Sequence, residues 1–316
     1  MHPESTLDGS NLFQYLNKSF KENPNNKRID LPSSIGEGYV KRVELFGKIN
    51  ILIVQCKLNM EEKGDRKITH GRQEYISFSF RNLLNSTKNF HPPFLPYIQL
   101  SSSNTALNIS LPAQTPINNI IVGVKIDYLS ELIKSDSEHS ILDVILANNQ
   151  PFLYEEMISD KISIIAKEIF DFDSDEALSD LCYKIKSEEL IYHFLLMLLK
   201  RNNENYPINN ADIHALQEVR NKLLDDLTIC PSLDNLAAMA NMSKSKVSRL
   251  FKQIFGQSIY NYHQKMRILE AANLIKTQQM TVSDAGFQVG FSNLSHFTRI
   301  FERYMGMNPK KYSKIK

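Results

Sequence analysis

The sequence has no tryptophan and only three cysteines among its 316 residues. Cys56, Cys182 and Cys230 lie far apart, and no pair has metal-site spacing. They are expected to be reduced, mostly buried thiols. No His-x-His pair occurs, and His70 and His91 stand alone, so the ligand set of a metal-holding barrel is missing. GxSxG, GxxxxGK[ST] and a dinucleotide fingerprint are also absent. Neither catalysis nor any metal or cofactor is expected. Long uncharged apolar runs are lacking too. The nearest, residues 190–199, is too short to span a bilayer. No basic segment leads into an apolar run at the start, so a secretory signal is not expected. These absences predict a cytoplasmic protein with no membrane association.

What is present has the balance of an ordinary folded chain, 42% apolar and 23% charged. The length predicts two domains. The net charge of +2 hides an asymmetry. Residues 214–316 hold 15 Lys and Arg against 7 Asp and Glu, while the remainder holds 22 against 28. A basic third joined to an acidic two-thirds suggests a polyanion at one end only.

Along the chain, residues 1–30 are polar, with a short helix expected near 11–20 and an exposed loop at 21–27 (KENPNNK). From Gly38 the texture is strand-like. Residues 49–58, 74–80, 97–100, 106–111 and 118–126 are short, rich in β-branched or aromatic residues, and bounded by Gly, Pro, Asn and Ser. They predict a β-rich region over about 31–127, a sandwich or small barrel. Residues 128–134, 140–148, 159–170 and 178–200 read as helices. The run 190–199 is apolar almost all round and needs cover on every side, in a core or a subunit interface. A homodimer through 159–200 is expected. Residues 201–210 (RNNENYPINN) are the clearest linker. The expected division is 1–200, a linker at 201–211, and 212–316.

An internal repeat organises the last third. Four apolar quartets share the spacing i, i+3, i+4, i+7 of one helix face. They are Leu233, Leu236, Ala237, Ala240; Val247, Leu250, Phe251, Ile254; Val282, Ala285, Gly286, Val289; and Phe297, Ile300, Phe301, Tyr304. A short helix, a tight turn and a longer helix thus occur twice, about 50 residues apart. Ala237 and Gly286 sit where two helix backbones must approach. Gly290 suits a turn with positive φ, and Asn241 takes that place in the first unit. Ser232 and Thr281 are candidate caps of the first helices, and Ser243 and Ser292 of the second. Asp284 completes a capping-box pattern with Thr281. Residues 258–276 form a connecting helix, with Ile268, Ala271, Ala272 and Ile275 on one face. Its length is about 30 Å, close to the 34 Å or so of one B-DNA turn.

The segments 232–275 and 281–312 resemble the DNA-binding domain of AraC/XylS transcription regulators. The second half carries Gly290-Phe291, Phe297, Arg299, Phe301, Gly306, Pro309 and Tyr312 in the family's order. The first carries Leu236-Ala237, Ser243, Arg249, Phe251-Lys252, Gly256, Ser258, Tyr262 and Arg267. The resemblance covers about 212–316. It departs at Val247, Ala285, Gly286 and Glu302, which implies weaker binding by the second unit. More faintly, the strand blocks and PFLYEE at 151–156 are similar to the effector half of regulators akin to the pyochelin-responsive one. The implied fold class is α+β. A cupin-like N-terminal barrel or sandwich with helices precedes an all-α DNA-binding domain. In that domain two helix-turn-helix units, 232–256 and 281–305, are joined by a helix at 258–277.

The resemblance implies a cytoplasmic transcription regulator, an activator in its usual sense. Double-stranded DNA and RNA polymerase are its partners, and a small-molecule effector controls it. An N-terminal module governed by a partner protein is the alternative. Fused DNA-repair enzymes of this type need a cysteine cluster, which is absent. By family position Ser245, Ser248 and Arg249 read bases in the first unit, and Leu294, Ser295, His296 and Arg299 in the second. Lys244, Lys246, Lys252, Arg303, Lys310, Lys311 and Lys314 suit phosphate contact. The bland alternative is that the two arginines only pair with carboxylates or phosphates, and that the tail lysines are a solvated end. Tyr39, Tyr75, Phe78, Phe80 and Tyr97 are candidates for an apolar effector pocket, against the plainer reading of core.

Overall fold

The computed structural model describes residues 12–22, 27–66, 75–84, 95–133, 141–172, 177–201 and 205–315. His70 and His91 lie outside them. The described residues fall into two compact units, those up to Leu84 and from Pro96 to Lys200 in the first, and Leu95 with those from Arg201 onward in the second.

The first unit opens with α1 (Leu12–Glu22), so Lys21 and Glu22 end a helix instead of starting the expected loop. The strands are β1 (Arg28–Asp30), β2 (Gly36–Leu45), β3 (Ile49–Leu58), β4 (Glu62–Arg66), β5 (Tyr75–Arg81), β6 (Tyr97–Ser101), β7 (Leu107–Leu111), β8 (Pro116–Lys125) and β9 (Leu153–Met157). Seven make one antiparallel sheet in the order β1-β2-β3-β8-β5-β6-β9, and β4 pairs with β7 separately. The helices are α2 (Ile126–Leu132), α3 (Ile141–Ala147), α4 (Asp160–Asp171) and α5 (Ser179–Leu199). β9 falls between the helices expected at 140–148 and 159–170, and so adds a strand to a region, about 128–200, expected to be helical in general. Its Leu153, Tyr154 and Glu155 are buried because β6 supplies the ladder partner for a stretch of only five residues.

One face of the large sheet buries Ile51, Ile53, Phe78, Phe80, Ile98, Leu100, Ile120 and Val122 in one core with Ile165, Phe194 and Leu198 of α4 and α5. Phe78 meets Phe194 edge to face, with centroids 6.0 Å apart. The other face is apolar around Val54, Cys56 and Ile117, where Leu12 joins it. Further along that face it is polar. Ser79 stands opposite Gln99 and Gln99 opposite Glu155, all three buried. Cys182 and Cys230 are half-exposed, so of the three thiols only Cys56 is core.

The second unit is helical: α6 (Asn210–Asp225), α7 (Leu233–Met239), α8 (Lys244–Phe255), α9 (Ile259–Thr277), α10 (Val282–Gln288), α11 (Leu294–Met305) and α12 (Pro309–Tyr312). α6 starts inside the expected linker because Asn209 caps it, accepting the Asp212 N–H. Ser232, Ser243, Ser258 and Thr281 cap α7 to α10 in the same way. α11 is capped by Asn293 and not, as expected, by Ser292. The Asn293 Oδ1 lies 2.9 Å from the His296 N–H, three residues on, where a cap acceptor must stand.

The two turns solve one problem differently. Asn241 has φ 51° and Gly290 φ 83°. A Cβ on Gly290 would lie 2.4 Å from the Thr228 carbonyl oxygen, so glycine is required there for space as well as conformation. On Gly286 it would press on Phe297 and Leu294 at 3.1–3.2 Å, the close approach read from the sequence. Leu233, by contrast, is 37% exposed and does not join its quartet's buried face.

α9 contacts α6, α8, α10 and α11. His263, near its start, is 2% exposed, and its Nε2 has no hydrogen-bond partner among the described residues. Burial holds its pKa below the ordinary histidine value, Arg267 pushes the same way, and Asp226 only partly opposes them. The unfolded chain therefore takes up this proton first. The contribution of neutral His263 is present above about pH 6.5 and is lost as pH falls below it. Thermal melts at pH 7.5 and 5.5 check this. The wild type should lose more stability on acidification than His263→Gln, by up to about 1.4 kcal/mol per pH unit. Equal losses would contradict the assignment.

Candidate nucleic-acid interface

α8 and α11 each bury one face and expose another. Val247, Leu250, Phe251 and Ile254 of α8 are buried, as are Phe297, Ile300 and Phe301 of α11. On the remaining surface of α8, Lys244, Ser245, Arg249 and Lys252 are exposed, and Lys246 and Ser248 half-buried. On α11, Ser295, Arg299, Glu302 and Arg303 are exposed. Leu294 and His296 are only half so. Leu294 packs into the core beside Gly286, and the His296 ring leans on Phe291 at 5.8 Å. The candidate readers of each helix thus share a surface, with two of the second set drawn partly inward. Lys310 and Lys311 lie on α12 and are exposed, as is Lys314.

Both helices are held rigidly at their ends. Gly256 and Gly306 take the left-handed conformation at φ 71° and return their N–H groups to Lys252 and Glu302 carbonyls. Behind α8, Phe251, Phe255 and Tyr262 form a ring cluster, and behind α11 Phe291, Phe297, Phe301 and Tyr312 do the same. α9 is tied to both. The Arg267 Nε donates to the Val289 carbonyl at 2.6 Å while its guanidinium covers Phe291 at 4.0 Å. The Tyr304 hydroxyl donates to the Asn261 carbonyl at 3.2 Å.

Several cations of the first helix already have partners. Lys244 pairs with Asp234 of α7, with both groups well exposed. Such a pair contributes about 0–1 kcal/mol and exchanges readily for a phosphate. Lys246 reaches Asp212 of α6 at 2.7 Å, and that carboxylate is buried. This second pair braces α8 against α6, so Lys246 is committed inside the unit more firmly than Lys244. The Arg249 guanidinium lies over the Tyr206 ring, 4.2 Å from its centroid, and so has an aromatic partner in place of the carboxylate of the bland alternative. Asp212, Asp234, Tyr206 and Gln253 were not singled out in the sequence. Only the polar flank of α8 hinted at them, because their partners are 10 to 47 residues away.

The pocket candidates are not brought together. Tyr39, Phe78 and Phe80 belong to the sheet face covered by α4 and α5, while strand alternation puts Tyr75 and Tyr97 on the other face. Phe78 and Phe80 are plain core.

A helix-turn-helix domain family matches residues 236–315. The arabinose operon regulatory protein of Escherichia coli (strain K12) is 28% identical over 125 residues, 39% of this chain and 42% of that protein. The probable transcription factor PqrA of Proteus vulgaris is 34% identical over 80 residues, 25% of this chain and 66% of that protein. Among solved structures, the DNA-binding domain of the global transcriptional factor AdpA in complex with a target DNA is 27% identical, covering 31% of this chain and 89% of that one, with a TM-score of 0.30. The chain spans about two fifths of the length of the arabinose regulator it matches. With its twice-repeated helix pair, the matching domain and these relatives, residues 236–315 form a helix-turn-helix domain similar to that of AraC-type transcription regulators.

Proposed function

We propose that this regulator binds DNA by placing α8 and α11 in successive major grooves on one side of the duplex, with α9 setting their separation. The observation that carries the reading is the repeat itself: two solvent-facing helices of 12 residues each, joined through one helix of 19. At 1.5 Å per residue that helix is roughly 28 Å long, near the 34 Å or so between half-sites. Ser245, Ser248 and Arg249, then Ser295 and Arg299, are the base-reading set, with smaller shares for Leu294 and His296. Lys244, Lys252, Arg303, Lys310 and Lys311 contact phosphates, and Lys246 does so less. Exposed Glu302 weakens the second half-site by repelling the backbone. RNA polymerase is the further partner of this reading.

The sheet-rich unit is the regulatory half in this reading, a cupin-like barrel with a small effector. Buried Ser79, Gln99, Glu155 and Asn119 share one sheet face, and the nearby Arg81 Nε is buried without a hydrogen-bond partner among the described residues. This favours a polar effector over the apolar one that five aromatics would have taken.

α5 supports a homodimer. Leu178, Leu181, Ile185, Tyr192, Leu196 and Leu199 are exposed, Leu178 at 66% and Tyr192 at 58%. At 100° per residue they fall in one narrow stripe opposite the buried face. Leu178, Ile185, Tyr192 and Leu199 recur every seven residues, the period of a paired helix, and a second copy presents the same stripe.

Footprinting tests the DNA reading. Two protected windows about 10–10.5 base pairs apart are expected. Arg249→Ala and Arg299→Ala should each relax preference at one position by about 1–3 kcal/mol. Binding that ignores sequence, or does not weaken with salt, would contradict it. Sedimentation tests the dimer. The wild type should sediment as a dimer and Ile185→Glu/Tyr192→Glu as a folded monomer, whereas a dimer that survives both changes would exclude the α5 interface.

A further inference from the structure

The stretch just before α6 is fastened to the flank of α8. Gln253, 5% exposed, grips the main chain of Tyr206 twice. Its Oε1 accepts the Tyr206 N–H at 2.9 Å, and its Nε2 donates to the Tyr206 carbonyl at 3.0 Å. The Arg201 Nη1 donates to the carbonyls of Gln253 and Ile254 at 2.9 and 3.1 Å. Those carbonyls lie in the last turn of α8, where acceptors lack helical partners and a cation meets the negative end of the helix dipole. Ile208, in the same stretch, is buried at 7% exposure. Arg249 stands four residues before Gln253, hence on the same flank of the helix. That register brings the Tyr206 ring under the Arg249 guanidinium.

The geometry has a chemical consequence. A guanidinium resting over a ring at 4.2 Å from its centroid still presents N–H groups away from the ring, and the contact narrows the orientations in which they lie. Pairing with guanine O6 and N7 needs two N–H groups in one defined plane, whereas a phosphate contact makes no such demand. An unsupported arginine at an exposed helix position would have to give up its rotamer freedom on binding. Given the reading of Arg249 as a base reader, on which this rests, we infer that Tyr206 is a specificity-determining positioning residue. It lies outside both helix pairs and holds Arg249 in the plane required to read its base pair. The strap bonds are made by the Tyr206 main chain, so changing the side chain leaves them in place.

The test uses the full-length protein and a duplex selected from a random-sequence pool, with derivatives each changed at one base pair. Discrimination is a ratio of two affinities of one preparation, so any inactive fraction cancels. Tyr206→Phe keeps the aromatic face and should discriminate as the wild type does. Tyr206→Leu keeps bulk without that face. It should lose about tenfold in discrimination at the base pair where Arg249→Ala also relaxes, with the other positions and the salt dependence unchanged. If Arg249→Ala relaxes one position and Tyr206→Leu does not, the inference fails while the base-reading role stands. If Arg249→Ala weakens all sequences alike, the base-reading role fails and the inference with it. Tighter binding by Tyr206→Leu would mean that the tyrosine withholds the arginine, and would also overturn it.

Discussion

The second unit depends on the fastening of α9 to both recognition helices. A helix of this length is a useful spacer only if each recognition helix is rigid with respect to it. Packing alone would allow slippage, because small residues such as Ala271 and Ala272 make a smooth surface. Directional contacts remove that freedom. Arg267 binds the turn before α11 by hydrogen bond and ring stacking together, and Tyr304 reaches back from α11 to the first turn of α9. In that same first turn, Tyr262 meets the Phe251 and Phe255 rings and locks α8 to α9. A buried polar contact earns its place here because it fixes geometry where apolar contact cannot.

The charge of the first recognition helix is already shared with neighbours. Lys244, Lys246 and Arg249 engage Asp234, Asp212 and Tyr206 respectively. These contacts differ in how easily they exchange. The exposed Lys244 pair gives way to phosphate at little cost, while the Asp212 pair would leave a buried carboxylate unpaired if broken. One helix thus carries an exchangeable cation, a structural cation and an oriented one. Residue type alone could not have separated them, since two are lysines two positions apart.

The legibility of the sequence followed the range of the interactions. Helix periodicity, caps and turn glycines are local, so the repeat could be read nearly to the residue, and β3 to its ends. The misses are non-local or depend on neighbouring choices. Asn293 takes the cap from Ser292 because only one of two adjacent candidates can stand three residues before the amide it serves. β9 is a strand only because β6 is beside it. The five pocket aromatics separate because side chains alternate across a strand, which places Tyr75 and Phe78 on opposite faces. The Tyr206 strap falls in a segment whose composition reads as a linker, and nothing local marks its partner Gln253 as buried.

The rigid spacing is tested most directly by moving the two half-sites apart. In a duplex where both windows bind, inserting five base pairs between them turns the second half-site to the opposite side of the helix. If α9 holds α8 and α11 in one fixed relation, affinity should fall to that of a single half-site, and ten inserted base pairs should not restore it. Unchanged affinity for either insertion would show that the two recognition helices are not rigidly joined.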